Sequence, residues 1–273
     1  MTMPLVVGVD GSEASLEALD WAADEADRHG VPLHLLHAEA GESESSDVIA
    51  TASLRAAGRA PSVPVSSEVL QEDPAVALIG RGRNAFALVL GSRGLGDLAG
   101  MLLGAVGLAV AARADCPVVV VRGAADNRQS RFGRVIVGVE EGEGSGTAVR
   151  FACREARVRR CLLVAVHAWN RPPGRSPVSP PARWYAPQAP RRPPAQVLDD
   201  ALRGAAERIG ELVVTRQVIE GPARPALLNA ATEADLLVVG ARRRRGHTGL
   251  QLGLINHALL HHAPCPVAVV PQI

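Results

Sequence analysis

The chain has 273 residues, 47% of them apolar and only 3% aromatic, with a net charge of +1. That is enough for a large aliphatic core, and it excludes a disordered chain, a stacked-aromatic nucleic-acid platform and a surface with a strong pull toward DNA or lipid. All 29 basic residues are Arg, so a P-loop lysine, a Schiff-base lysine and a Ser–Lys dyad are absent.

"PLVVGVD" at 4–10 is short, apolar and β-branched, and reads as a buried strand with Asp10 at its tip. Ser12 or Asp10 then caps a helix whose apolar face includes Leu16, Leu19 and Ala23. "VPLHLLHAEA" at 31–40 is the second strand and the alternating "VPVSSEVLQ" at 63–71 the third. "DPAVALIGRGRN" at 73–84 is a helix with Pro74 in its first turn. "FALVLGS" at 86–92 is the fourth strand, "LAGMLLGAVGLAVAARA" at 98–114 a helix, its ordered part starting at or near Gly104 if 95–103 is a loop or short turn, and "CPVVVVR" at 116–122 the fifth strand. Apolar strands alternating with helices imply a parallel sheet covered on both faces.

The chain then repeats itself. "PLVVGVDGSEASLEALDWAADEA" at 4–26 matches "RVIVGVEEGEGSGTAVRFACREA" at 134–156, and His37-Ala38 matches His167-Ala168. "ALVLGSRG" at 87–94 matches "LLVVGARR" at 236–243, and "ARADCPVVVV" at 112–121 matches "HHAPCPVAVV" at 261–270. The matches keep their order, which marks an internal duplication. The units are 1–123 and 133–273, joined by a polar linker at 124–132. An insert at 170–194 in the second unit is rich in Pro and Arg and fits neither helix nor sheet interior. Its Trp184-Tyr185 pair suits either a partner contact or a mobile loop.

The fold class is therefore α/β, with two tandem doubly wound five-stranded parallel-sheet domains. Ligands of such sheets sit beyond the carboxyl ends of the strands, where the strand order reverses. The fourth strand ends there in "GSRGLGDLAGMLLGAVG" at 91–107. Glycines let backbone amides approach phosphate oxygens, and a helix N-terminus adds favourable partial charge. The same pattern also fits a glycine-rich turn with close helix–sheet packing.

The spacing of Gly91, Gly94 and Gly104 resembles the nucleotide loop of the universal stress protein family. So do the "GVDGS" opening strand, the "LLHA" second strand and the "CPV" fifth strand, in both repeats and in order. The chain is identified as a tandem member of that family, from a GC-rich, actinobacterium-like genome. The resemblance implies a Rossmann-like, adenine nucleotide alpha hydrolase-like fold in which the two fifth strands pair antiparallel, 116–121 against 265–270. This would make an intramolecular pseudo-dimer and leaves a further homodimer open. It implies an ATP-binding stress-response regulator or sensor, with or without Mg2+, acting through unidentified protein partners and not by turnover. The implied nucleotide contacts in repeat one are Val9, Asp10, Ala38, Gly91, Arg93, Gly94, Gly104, Ala105 and Val106.

Two departures from the family pattern bear on the site. The family places Ser or Thr after the third glycine, where this chain has Ala105, a loss of one neutral hydrogen bond worth about 0.5–1.5 kcal/mol. Repeat two retains Glu140, Ala168, Gly240 and Gly253, but it has Arg243 for the second glycine and Leu254 after the third. One competent site, in repeat one, is expected. Rescue of repeat two by Arg242–Arg245, or by another loop around Gly246 and Gly249, is the contrary reading. A scaffold with vestigial loops and a slow ATPase or phosphoryl transferase are the alternative functions; nucleic-acid binding rests on Arg242–Arg245 alone.

Remaining features point to no catalysis. No Ser–His–Asp set is recoverable by spacing. His37 and His167 read as buried structural residues, and His257, His261 and His262 as a helix surface, so no metal site is assigned. Cys116, Cys153, Cys161 and Cys265 form no CxxC pair and read as reduced buried thiols of a cytoplasmic chain. "MTMPLVVGVDGSE" lacks the regions of a signal peptide, and the apolar stretch 101–121 is broken by Arg113, Asp115 and Pro117, so no membrane segment is expected.

Overall fold

The computed structural model describes residues 2–40, 46–94, 103–142, 145–170, 192–203, 212–242 and 252–272. In the first half β1 (Leu5–Gly8), α1 (Glu13–His29), β2 (Leu33–Ala38), α2 (Ser46–Arg59), β3 (Val65–Leu70), α3 (Pro74–Gly82), β4 (Ala87–Gly91), α4 (Ala105–Arg113) and β5 (Val118–Val121) alternate. A short α5 (Ala125–Arg128) leads to β6 (Arg134–Gly138), α6 (Ser145–Val158), β7 (Leu162–Trp169), α7 (Pro194–Arg203), β8 (Val214–Glu220), α8 (Ala223–Ala230), β9 (Leu236–Arg242), α9 (Leu254–His262) and β10 (Val267–Gln272).

All ten strands join one sheet in the order β3-β2-β1-β4-β5-β10-β9-β6-β7-β8. Each half is parallel, and the halves meet where β5 pairs antiparallel with β10, Val118 opposite Val269 and Val120 opposite Val267. The two apolar fifth strands thus satisfy each other's backbone groups at the centre of the molecule, which removes two exposed edges. One core lies on each face of the sheet, and each core contains side chains from both halves.

Local chemistry fixes the ends of the elements. Ser12 caps α1 by accepting from the Ser15 amide, and Gly30 closes it in the left-handed region at φ 62°. Asp73 caps α3 through the amides of Ala75 and Val76, with Pro74 in the first turn. The helix expected over 98–114 starts only at Ala105. Leu103 and Gly104 are not helical, because the Gly104 N–H turns back to Ser92 O at 2.9 Å, and 98–102 lie outside the described residues. α2 was not foreseen: its first turn follows a polar stretch with no clear start signal, and it packs on α1, β3 and β2.

The segment expected as a plain linker is bound along its length. Arg128 pairs with Glu17 of α1, Asn127 donates to the carbonyls of Thr232 and Ala234, and the Phe132 amide donates to Asp235. The insert at 171–191, with Trp184 and Tyr185, lies outside the described residues.

A second junction, unforeseen from the sequence, joins α1 to α6. His29 Nε2 lies 3.3 Å from Glu25 and 3.2 Å from Glu155, while Arg159 pairs with Glu25 and lies 3.7 Å from Glu155. Burial opposes charge on Glu25, yet Arg159, His29 and Arg28 outweigh it and hold the carboxyl at about 2. Burial also opposes protonation of His29, but its hydrogen bonds to Glu155 and Glu25 raise it to about 9. Burial and the neighbouring Glu25 push Glu155 up. Among the described residues, Glu25, His29 and Glu155 are the one His/Cys/Asp/Glu group compact enough for a metal ion. Two carboxylates already face two cationic side chains there, so charge balance does not call for an ion.

Candidate functional site

The strand order reverses between β1 and β4, and the carboxyl ends of those strands open into a cavity of about 460 Å³. All nine repeat-one candidates line it: Val9, Asp10, Ala38, Gly91, Arg93, Gly94, Gly104, Ala105 and Val106. One wall is apolar, from Leu36, Val48, Pro74, Leu78 and Leu90. The start of α4 also lines it, where the N–H groups of Ala105, Val106 and Gly107 have no acceptor within the helix. An apolar lining together with a helix N-terminus suits a base and an anion in one ligand.

The roles of the candidates differ from one another. The Asp10 carboxylate accepts from the Ser12 amide at 3.0 Å and the Ser12 hydroxyl at 2.6 Å, so it braces the β1–α1 turn as well as facing the cavity. A Cβ on Gly94 would lie 2.6 Å from its other oxygen, so only glycine leaves that carboxylate its place. Gly91 is glycine for packing: a Cβ there would meet the Ala14 carbonyl oxygen at 2.5 Å, inside the backbone of α1. Gly91→Ala is therefore expected to cost about 1–3 kcal/mol of stability through overpacking, read as a lower urea midpoint at unchanged slope. The Gly104 N–H is bound to Ser92 O, so the amides the helix start leaves facing the cavity begin at Ala105. The value of Gly104 is to let α4 begin there, with Ala105 and Val106 exposed.

His37 is buried as expected, its Nδ1 2.7 Å from Val9 O, and it also reaches the cavity wall. Ser15, Glu39, Val48, Pro74 and Leu78 line the cavity without having been singled out. They come from α1, α2, α3 and the β2 end, and nothing in their local sequence marks them as neighbours.

Repeat two has the same scaffold, with His167 Nδ1 2.9 Å from Val139 O and Ser145 bonded to the backbone of Glu140. Among the described residues, side chains close in on its equivalent strand ends. Asn256, at the position of Gly107, donates to Gly240 O at 2.9 Å. The Gln272 side chain lies so close to Gly240 that a Cβ there would meet its Nε2 at 2.0 Å. Arg242, at the position of Arg93, donates to Glu141 O at 3.1 Å and lies 3.5 Å from the Glu140 carboxylate. That contact turns Arg242 toward acidic groups of its own chain. Ala168 is the penultimate residue of β7, beside Ile219, Gly253 precedes α9, and Leu254 is 91% exposed. Arg243, Gly246 and Gly249 lie outside the described residues.

The other candidates add no chemistry. His257 and His261 stack with ring centroids 4.4 Å apart, and burial, then His257, His262 and Arg122, lower His261. Burial raises the thiols of Cys116 to about 11, Cys161 to about 11 and Cys265 to about 12, which makes them poor nucleophiles. No helix among the described residues is long and apolar enough to cross a membrane.

The model of the universal stress protein family matches residues 1–122 and again 131–271. The chain belongs to the universal stress protein family. It is 32% identical to a universal stress protein of Mycolicibacterium smegmatis, over 97% of this chain and 96% of that one. It is 33% identical to universal stress protein Rv2005c of Mycobacterium tuberculosis, over 98% of this chain and 97% of that one. These mycobacterial relatives agree with the actinobacterial composition. The crystal structure of a universal stress protein from Archaeoglobus fulgidus shares the fold, with a TM-score of 0.69, 19% identity and full coverage of both chains. As a universal stress protein the chain has the family's general stress-response, regulatory role, and the family is in general non-catalytic.

Proposed function

We propose that this universal stress protein binds one adenine nucleotide per chain, ATP with or without Mg2+, in the repeat-one cavity. It would act as a cytoplasmic sensor whose bound state is read by protein partners. In this reading 1–123 is the binding unit and 133–273 its structural mate. The observation that carries it is the convergence of the nine residues implied by the family resemblance, from four chain segments, on one cavity between β1 and β4. The apolar wall takes the adenine, with the Ala38 backbone at its rim. Asp10 faces the ribose hydroxyls, and the amides at the start of α4 face the phosphates, with Arg93 beside them. Ala105 supplies no hydroxyl, so binding is weaker than a Ser or Thr there would give by about threefold to tenfold. Side chains crowd the equivalent space of repeat two, which supports a stoichiometry of one.

Calorimetric titration with MgATP tests this. The expected result is one site per chain, with at least about a tenfold loss of affinity in Asp10→Ala, as for removal of a charged hydrogen-bond partner. Two sites would overturn the reading of repeat two. No heat at several temperatures, with no nucleotide released on denaturation, would favour a scaffold whose loop is inherited. Multiple turnover lost in Asp10→Ala would favour a slow ATPase.

A further inference from the structure

The strand order lays the cavity out as a row. Across the strand ends, Ala38 closes β2, Asp10 follows β1, and Gly91 closes β4 just ahead of Arg93. In the proposed function base, ribose and phosphates lie along that row in that order. The next strand is β5, and the residue that follows it is Arg122. Adjacent strands stand about 4.8 Å apart, so Arg122 is one such step past the loop that meets the first phosphate.

The side chain of Arg122 lies on the right face for such a track. Val118 and Val120 belong to the core that holds α4 and α9, and alternation along the strand turns Arg122 the same way. The parallel register, Gly91 beside Val121, brings it level with Ser92, whose carbonyl holds the Gly104 amide at the start of α4. Arg122 thus flanks the helix start from the β5 side. Its Nη1 donates to Leu260 O near the end of α9, which fixes the side chain, while its Nε is buried with no hydrogen-bond partner.

The charge of Arg122 is poorly compensated. Burial lowers the guanidinium below its ordinary range, Cys265 opposes that shift, and the neighbouring Arg93 adds to it. Burial holds the Cys265 thiol up at about 12, so it stays neutral. His261, also close to Arg122, has a buried Nε2 without a partner and is no anion. Two guanidinium groups that repel each other beside a helix N-terminus are relieved by a multiply charged anion. Repeat two writes the same strand as "CPVAVVP", with Pro271 where repeat one has Arg122. The cation is therefore present in the repeat whose strand ends form the cavity, and absent where Asn256 and Gln272 close on Gly240.

We propose that Arg122, together with Arg93, receives the outer phosphates of the ligand and makes the site select nucleoside triphosphates over monophosphates and cyclic monophosphates. This rests on the nucleotide site proposed above. AMP ends at the amides of α4, whereas each further phosphate carries negative charge toward β5. A guanidinium already fixed by Leu260 loses little freedom on taking a phosphate oxygen.

The test is calorimetric titration of AMP, ADP and ATP at fixed Mg2+ and salt. The parent should bind ATP most tightly. In Arg122→Gln, which keeps a donor for Leu260 O, ATP affinity should fall by about tenfold or more, ADP affinity by less, and AMP affinity not at all. Arg122→Lys keeps the charge and should keep most of the ATP preference. Arg113→Gln, at the far end of α4, removes the same formal charge and should change none of the three. In the parent, the preference for ATP over AMP should also shrink as salt rises, a readout that does not depend on how well the variants fold. Equal losses for AMP and ATP in Arg122→Gln would overturn the proposal and leave Arg122 as a cap on α9. An unchanged ATP preference in that variant, or a parental preference indifferent to salt, would overturn it as well. A parent that binds none of the three would overturn the nucleotide site itself, and this proposal with it.

Discussion

Arg159→Met should lower the unfolding free energy by about 3–5 kcal/mol, the usual cost of stranding a buried charge. Methionine keeps most of the length but removes the partner of Glu25 and Glu155, and Arg159 is only 2% exposed. It also lies over the Trp21 ring and donates to Ser130 at 2.6 Å, so packing and the linker both feel its loss. Because Glu25 and His29 come from one repeat and Glu155 and Arg159 from the other, the cost falls on the union of the halves. Chemical denaturation is expected to lose its single transition or to shift it as a whole, and the double variant Arg159→Met/Glu155→Gln should recover part of the loss. A variant as stable as the parent would show that the four charges are idle.

The same cluster sets a pH dependence. His29 rises from 6.5 to about 9 on folding, so its contribution is full below pH 6.5 and is lost as pH climbs through 9. The size is on the order of 3 kcal/mol at about 1.4 kcal/mol per pKa unit. Glu25 falls from 4.5 to about 2, so its contribution is full above pH 4.5 and is lost as pH drops toward 2. Glu155 is raised and works the other way, gaining stability on protonation. Melting temperature should therefore decline between pH 6.5 and 9.5, and His29→Gln should flatten that limb. An alkaline limb unchanged in His29→Gln would rule out this origin.

Gly94→Arg should weaken MgATP binding by about a hundredfold, or abolish it, with a smaller loss of melting temperature from the displaced Asp10 carboxylate. The substitution imposes on repeat one the residue that repeat two has at 243. A Cβ at 94 meets Asp10 Oδ2 at 2.6 Å, and the carboxylate cannot retreat freely because its other oxygen is held by Ser12. The side chain then stands where phosphate would approach the amides of α4. About 2.7 kcal/mol corresponds to that hundredfold loss, which two lost charge-assisted contacts would supply. Full binding in Gly94→Arg would mean that the nucleotide does not lie against this loop.

Much of the architecture was legible because it rests on short-range rules. Apolar β-branched runs, Ser12 and Asp73 as caps, Pro74 in a first turn and the ordered duplication all act within a few residues of where they are written. The pairing of Val118–Val120 with Val269–Val267 was legible for a further reason: two apolar edges in one chain have each other as the nearest solution. The start of α4 stayed open between 98 and Gly104 because apolar content continues through 98–104, while the later start is set by Gly104 bonding back across the loop to Ser92. Glu25 and Glu155 stand at matching places at the ends of the first repeated stretch, on the buried faces of α1 and α6. A carboxylate on an apolar face in both repeats was the available signal for the junction, though not for its partner Arg159.

The sequence by itself determined the number of repeats, the alternation of strands and helices, the family and which loop would be glycine-rich. Each depends on the order of residue types along the chain. Only the tertiary structure decided what each glycine is for: Gly91 makes room for α1, and Gly94 makes room for Asp10. It alone showed Asn256 and Gln272 closing on Gly240, four charged groups meeting between α1 and α6, and the linker seated against α1. These are contacts between residues far apart in the chain, fixed by how layers stack on a twisted sheet, and no local pattern records which side chains will meet there.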